Sequence, residues 1–328
     1  MEYALEQGFR PPWWLRNAHL QSILPTLPLR GAVVRRRCAY LREHSQPRIL
    51  DCGDGVRLLA QYTPAMQSDP AGAVVMLHGW EGDADALYML ALARRLLARG
   101  FEILRVNLRD HGGTQHLNPG LFHSCLLPEI AGAVRCAQQM FGGLPLHLAG
   151  FSLGGNFLLR VAADAAQTGL NISSVVAISP VLEPRATMTA IESGPRVYRR
   201  YFLRKWSESL RAKQRAWPQV YQFGDLRRFA SLRQMTAELV ERHTGFNTLE
   251  EYLDGYSITG QRLAGLAVPA TIIAAADDPI VPVADLRRVA ASSSLRAVVT
   301  PRGGHCGFLS AVWGDTWAEN AVVGYLTR

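Results

Sequence analysis

"LAGFSLGGN" places Ser152 between Gly150 and Gly154, after an apolar strand-like run and before a helical one. A serine on so tight a strand-to-helix turn is a candidate nucleophile, because glycines two before and two after let neighbouring backbone pass without Cβ clashes. Serine attacks a carbonyl only if a base takes its proton, and the base needs an orienting carboxylate. With this elbow the partners follow in the order serine, acid, histidine. "AAADDPIVP" supplies the acid and "GGHCGF" supplies His305, each at the end of a strand-like run, where open α/β sheets build their sites. The three pieces together describe acyl-transfer chemistry on Ser152, Asp278 and His305. Asp277 competes with Asp278, alternation in an extended chain pointing the two in different directions, and Asp278, four before Pro282 in "DPIVP", is preferred on motif position alone.

The helix start after Ser152 leaves free N–H groups, so the Leu153 amide is a candidate oxyanion donor. The second donor is expected from the loop "LHGWEGD", with the Trp80 N–H as candidate. His78 in that loop reads as a structural hydrogen-bonding group. His111 in "RDHGGT" reads as a loop polar residue, and His147 as a satisfied core group. The remaining histidines show no ligand-like spacing, and the five cysteines (38, 52, 125, 136, 306) form no Cys-x-x-Cys pair. Neither a metal site nor a disulfide framework is expected, and Cys306 reads as a small neighbour of His305. No phosphate loop is present, and no cofactor is expected.

These residues need a scaffold, and from residue 70 onward short apolar strands alternate with helical stretches, the signature of a mostly parallel sheet flanked by helices. Strands are expected at "AGAVVMLHG", "FEILRVNLRD", "LPLHLAGFS", "ISSVVAISP", "PATIIAAADD" and "LRAVVTP", and helices at "DALYMLALARRLLARG", "PEIAGAVRCAQQMFGG", "LGGNFLLRVAADAAQTG", "VADLRRVAAS" and "DTWAENAVVGYLTR". Residues 1–70 differ in style. There "AVVRRRCAYL", "RILDCGDG" and "VRLLAQYTP" read as antiparallel strands, with Asp54-Gly55 as a tight turn. Residues 183–262, rich in arginine and aromatics, read as a helical cap inserted into a single α/β domain of residues 1–328.

The formal net charge is +8, and Lys205 and Lys213 are the only lysines, so the excess is arginine. The densest stretch, "VYRRYFLRKWSESLRAKQR", interleaves cations with aromatics and reads as cap helix, not as a nucleic-acid surface. No apolar run reaches the length of a membrane span, and the opening residues lack the parts of a secretory signal. A soluble, cytoplasmic protein acting on a small-molecule or lipid ester is expected, without nucleic-acid partners or stable membrane insertion.

The motifs "RNAHLQSILPTL", "HGWEGD", "VNLRDHGGT", "GFSLGGN", "HTGFNTLEEYLDGYS", "AADDPIVP" and "GGHCGF" resemble the YheT-like branch of the α/β-hydrolases, the abhydrolase-domain hydrolases of the family-4 type. The likeness spans nearly the whole chain. It implies the α/β-hydrolase fold and a serine carboxylesterase acting on short- to medium-chain or lipid-derived acyl esters, with Ser152, Asp278 and His305 at the triad positions. Ala18 stands where the family's opening motif has proline, and Glu129 where many relatives have aspartate. An acyltransferase using the same triad is the alternative, and a non-catalytic lipid-binding protein on this scaffold the more distant one.

Overall fold

A computed structural model of the protein describes residues 2–5 and 8–326. Among the described residues, nine strands form one sheet: β1 (Glu2–Leu5), β2 (Gln46–Asp51), β3 (Arg57–Thr63), β4 (Gly72–Leu77), β5 (Phe101–Val106), β6 (Leu146–Phe151), β7 (Ser174–Ile178), β8 (Ala270–Ala275) and β9 (Leu295–Thr300). Their order across the sheet is β1-β9-β8-β7-β6-β4-β5-β3-β2. Neighbours from β1 to β5 pair in parallel, whereas β3 runs antiparallel to both β5 and β2. The β2–β3 hairpin turns through Asp54 and Gly55, both at positive φ (52° and 74°), as the Asp-Gly pair predicts.

The strands from β4 onward are apolar on both faces because each face carries helices. In β4 the pleat sends Ala73, Val75 and Leu77 into one core, with the helices Leu127–Met140 and Leu153–Ala163. Val74 and Met76 enter the other, with the helices Leu87–Leu97 and Trp317–Leu326. Each fully buried aliphatic side chain contributes about 1.5–3 kcal/mol.

Two expectations fail. "AVVRRRCAYL" is not a strand: residues Pro28–Arg37 and Ala39–His44 are helical. Val34, Cys38 and Leu41 recur at helical spacing and pack into the second core, while Arg35, Arg36 and Arg37 in the last turn of the first helix complement its negative pole. "VADLRRVAAS" is only a 3-10 turn, Val283–Arg288. It cannot lengthen because the chain beyond it bridges Gly260: the Gly260 N–H donates to Arg288 O (2.8 Å) and the Ala290 N–H to Gly260 O (3.1 Å). Strand β1, to which nothing in the sequence analysis points, adds in parallel to the edge at β9.

Between β7 and β8 the chain leaves the sheet. The helices Pro184–Ser193, Arg196–Ala216, Leu232–His243 and Leu249–Gly255 occupy this stretch, with no strand among the described residues. The segment has its own apolar centre, in which Leu210, Tyr221, Phe223, Phe229 and Met235 gather around Leu121 of the sheet domain. Lys213 docks it: its fully buried Nζ donates to Asp110 Oδ1, Asn118 O and Gly120 O, each at 2.7 Å. No helix among the described residues is long and apolar enough to cross a membrane.

Candidate active site

Ser152 sits between β6 and the helix Leu153–Ala163 at φ 50°, ψ −118°, a backbone conformation costing about 1–3 kcal/mol outside glycine. The sheet holds it there, since the Ser152 N–H donates to Ile178 O (2.8 Å) and Ser152 O accepts from the Asn156 N–H (3.0 Å). The flanking glycines are dictated by contact. A Cβ on Gly150 would lie 2.6 Å from the Gly155 nitrogen, and one on Gly154 would lie 2.3 Å from Leu77 O. The turn can wind this tightly only with bare backbone at both positions.

The three residues singled out by order in the chain meet in space. The Ser152 hydroxyl donates to His305 Nε2 at 3.0 Å, and His305 Nδ1–H donates to Asp278 Oδ2 at 2.9 Å. The other Asp278 oxygen accepts from the Ile280 and Val281 N–H groups (2.8 and 2.9 Å), which fixes the carboxylate's orientation. Asp277 turns away and accepts the Gly304 N–H instead (2.9 Å). Burial alone would lower the His305 pKa, but the Asp278 charge, with Cys306 and the Asp278 hydrogen bond, raises it well above the ordinary imidazole value.

Of the loop "HGWEGD", the Gly79 N–H donates to the Tyr88 hydroxyl (3.1 Å), the Glu81 N–H to His111 Nε2 (3.2 Å) and the Gly82 N–H to Gly79 O (3.0 Å). Among the described residues the Trp80 and Leu153 N–H groups have no acceptor, and both residues line the cavity that holds Ser152. The Trp80 ring stacks on Phe202 (5.2 Å between centroids) and meets Trp206 edge-on (5.3 Å), so this loop is packed against the helix Arg196–Ala216. Glu81, at φ 57°, has a carboxyl that burial pushes up to about 7, with Lys205 opposing the shift.

His78, His111 and His147 make structural hydrogen bonds. His78 Nδ1–H donates to Gly79 O (2.8 Å) while Nε2 accepts the Leu108 N–H (3.1 Å), and burial pushes its pKa down to about 4, so the ring is neutral. His111 is likewise pushed down to about 3 by burial and the neighbouring His78, and bonds Arg109 O. His147 bonds the Ser174 hydroxyl (2.8 Å). No group of three or more His, Cys, Asp or Glu side chains among the described residues could hold a metal ion. The cysteines are free thiols, and Cys306 Sγ points to Ile178 O at 3.7 Å.

The cavity measures about 640 Å³, within the roughly 300–1,000 Å³ of small-molecule sites. Gly79, Trp80, Ser152, Leu153 and His305 line it from the sheet domain, and Met188, Ile191, Tyr198, Phe202 and Leu232 of the helical segment form much of its apolar wall. Sequence reasoning missed three contributors. Ser22 accepts the His305 N–H (2.8 Å), Gln21 bonds Leu309, and Ser179 accepts the Cys306 N–H (3.3 Å). Nothing in the spacing of "RNAHLQS" points to a loop 283 residues away.

Residues 72–312 match the family model described as the alpha/beta hydrolase fold, and the chain belongs to that family. It is similar to YheT of Escherichia coli K12, whose name describes an esterase, at 27% identity over 99% of this chain and 95% of that protein. The mouse phospholipase ABHD3 is 21% identical over 73% of this chain and 59% of its own length. Among solved structures, an esterase of Pyrococcus furiosus superposes with a TM-score of 0.57 at 16% identity, covering 87% of this chain and 90% of that one.

Proposed function

We propose that the protein is a carboxylic ester hydrolase working through an acyl-enzyme on Ser152. The observation that carries this reading is the continuous hydrogen-bonded line from Ser152 Oγ through both nitrogens of His305 to Asp278. As Oγ attacks the ester carbonyl, its proton passes to His305 Nε2, and the imidazolium is stabilised by Asp278. The negative charge on the former carbonyl oxygen is received by the Leu153 and Trp80 N–H groups. The C–O bond to the alcohol then breaks, with His305 returning its proton to the departing oxygen. Water, deprotonated by the same nitrogen, attacks the acyl carbon and releases the acid and the free serine.

The helices of residues 183–262 act as a cap, and the apolar wall they present suits an acyl chain of short to medium length or one derived from a lipid. The esterase and phospholipase names of the relatives agree with such a substrate.

A fluorophosphonate probe tests the nucleophile: the wild type should label and Ser152→Ala should not. Labelling that survives in the variant overturns the assignment. A series of p-nitrophenyl esters of rising chain length then measures the pocket. Adding alcohols to the same assay separates hydrolysis from transfer, since ester formation outpacing acid release at millimolar alcohol would make the protein an acyltransferase.

A further inference from the structure

Five amides of the loop that carries His305 are each held by a separate partner. The Gly304 N–H donates to Asp277 Oδ1 (2.9 Å), the His305 N–H to Ser22 Oγ (2.8 Å), the Cys306 N–H to Ser179 Oγ (3.3 Å), the Phe308 N–H to Gly303 O (3.0 Å) and the Leu309 N–H to Gln21 Oε1 (2.7 Å). Two of these five partners lie near the other end of the sequence, on the short helix Ala18–Ile23.

That helix is built to present them. Asn17 caps it by accepting the His19 and Leu20 N–H groups (2.9 and 3.1 Å). The Ser22 hydroxyl donates to Ala18 O (2.8 Å), so its lone pair is turned outward toward the His305 N–H. Gln21 is fully buried, and its amide closes a two-way bridge with Leu309, accepting the N–H and donating to Leu309 O at 3.1 Å. Its second donor bond, to Leu15 O (2.8 Å), anchors it in its own segment.

The glycines around His305 admit this helix. A Cβ on Gly304 would lie 2.5 Å from Ala18 O, and one on Gly307 would lie 2.1 Å from Gln21 O. Their bareness therefore serves the approach of the helix to the loop as much as the reach of the imidazole to the serine. On its outer side the helix touches the cap, where His19 Nδ1 and the Tyr198 hydroxyl are 2.9 Å apart.

We infer that Ser22, seconded by Gln21, is a positioning residue for His305: the N-terminal helix clamps the loop backbone so that the imidazole spans Ser152 and Asp278. The inference rests on the triad reading proposed above. A ring released from this clamp drifts from its two partners, and displacement on the order of 1 Å costs up to about 100-fold in rate. Ser22 also lines the cavity, but its hydroxyl is engaged with Ala18 O and the His305 N–H, so the loss falls chiefly on kcat and little on KM.

The test compares wild type, Ser22→Ala and Ser22→Thr on p-nitrophenyl butyrate across pH, with the thermal midpoint of each. Ser22→Ala is expected to lower kcat by about 10- to 100-fold with KM within about twofold. Its acid limb should move to lower pH, because an imidazole held less firmly against Asp278 loses part of what raises its pKa. Ser22→Thr, which keeps the hydroxyl, should restore both. Gln21→Met, of similar volume, is expected to repeat the kcat loss if Ser22→Ala does not fold. An Ala variant with wild-type kcat and acid limb overturns the positioning role while the triad stands. A uniform loss that follows the thermal midpoint, with the limb unmoved, also overturns it. A wild type that neither hydrolyses the ester nor labels with fluorophosphonate overturns the triad reading itself.

Discussion

The Ser152 turn and the His305 loop bring their working atoms to 3.0 Å, yet different forces hold them. At the turn, backbone decides: it packs on itself at Gly150 and Gly154, and the strained serine is fixed by its own backbone bonds to Ile178 O and from the Asn156 N–H. At the loop, hydrogen bonds decide, drawn from Asp277, Asp278, Ser179 and the helix Ala18–Ile23. Added volume is excluded at both halves, at Gly150 and Gly154 of the turn and at Gly304 and Gly307 of the loop, but only the loop also depends on side-chain polar partners. Stability should therefore report on the first half, and rate on the second.

The largest effects come from the two reacting side chains. Ser152→Ala and His305→Ala should each lower kcat by about 10⁶-fold, and the double variant should be no worse than either, because the pair acts as a unit. Additive losses in ester-hydrolysis kinetics would break the idea of one shared machine. Next comes the acid. Asp278→Asn should cost about 10⁴-fold, whereas Asp277→Asn, which disturbs only a loop amide, should cost about tenfold or less. Equal losses at 277 and 278 would erase the distinction between orienting the ring and holding its loop.

The pH profile sharpens the same contrast. The proposed mechanism needs neutral His305, whose pKa the Asp278 charge lifts above its ordinary value against the opposing effect of burial. Activity should thus rise as pH climbs through a limb lying above about 6.5, and removing the Asp278 charge should bring the limb down. A limb at the same pH in both proteins would detach the titration from this pair.

Gly154→Ala tests the other half. Its methyl would press on Leu77 O, so the thermal midpoint should fall by an amount equivalent to about 1–3 kcal/mol. The smallest effect is expected at Cys306→Ser, with kcat within about threefold, since the thiol points to a carbonyl and not to the serine.

The two halves also differ in how far they can be read from residues alone. The turn is a local motif, so Gly-x-Ser-x-Gly between a strand and a helix declares itself, and the parallel strands follow from their unbroken apolar runs. Asp278 and His305 are legible through chain order and strand ends. Ser22 and Gln21 are not, because their partners are backbone amides, which carry no side-chain signature. The helix Pro28–Arg37 reads as a strand because a run of apolar and β-branched residues, Ala32 to Val34, masks the four- and three-residue spacing of Val34, Cys38 and Leu41. The arginine-rich stretch forms the helix Arg196–Ala216, with Lys213 lying wholly inside and Trp206 against Trp80.

The bond between Ser22 and the amide of His305 spans nearly the whole chain and so bears on when the protein acquires its chemistry. The serine turn can close once β7 lies beside β6, but the base arrives only after β9 has been laid down and the first helix has returned to meet it. Contacts between such distant segments form late in folding. On the triad proposed above, a chain still emerging from the ribosome has residue 152 without its base, and any ester-cutting activity waits for the loop beyond the last strand.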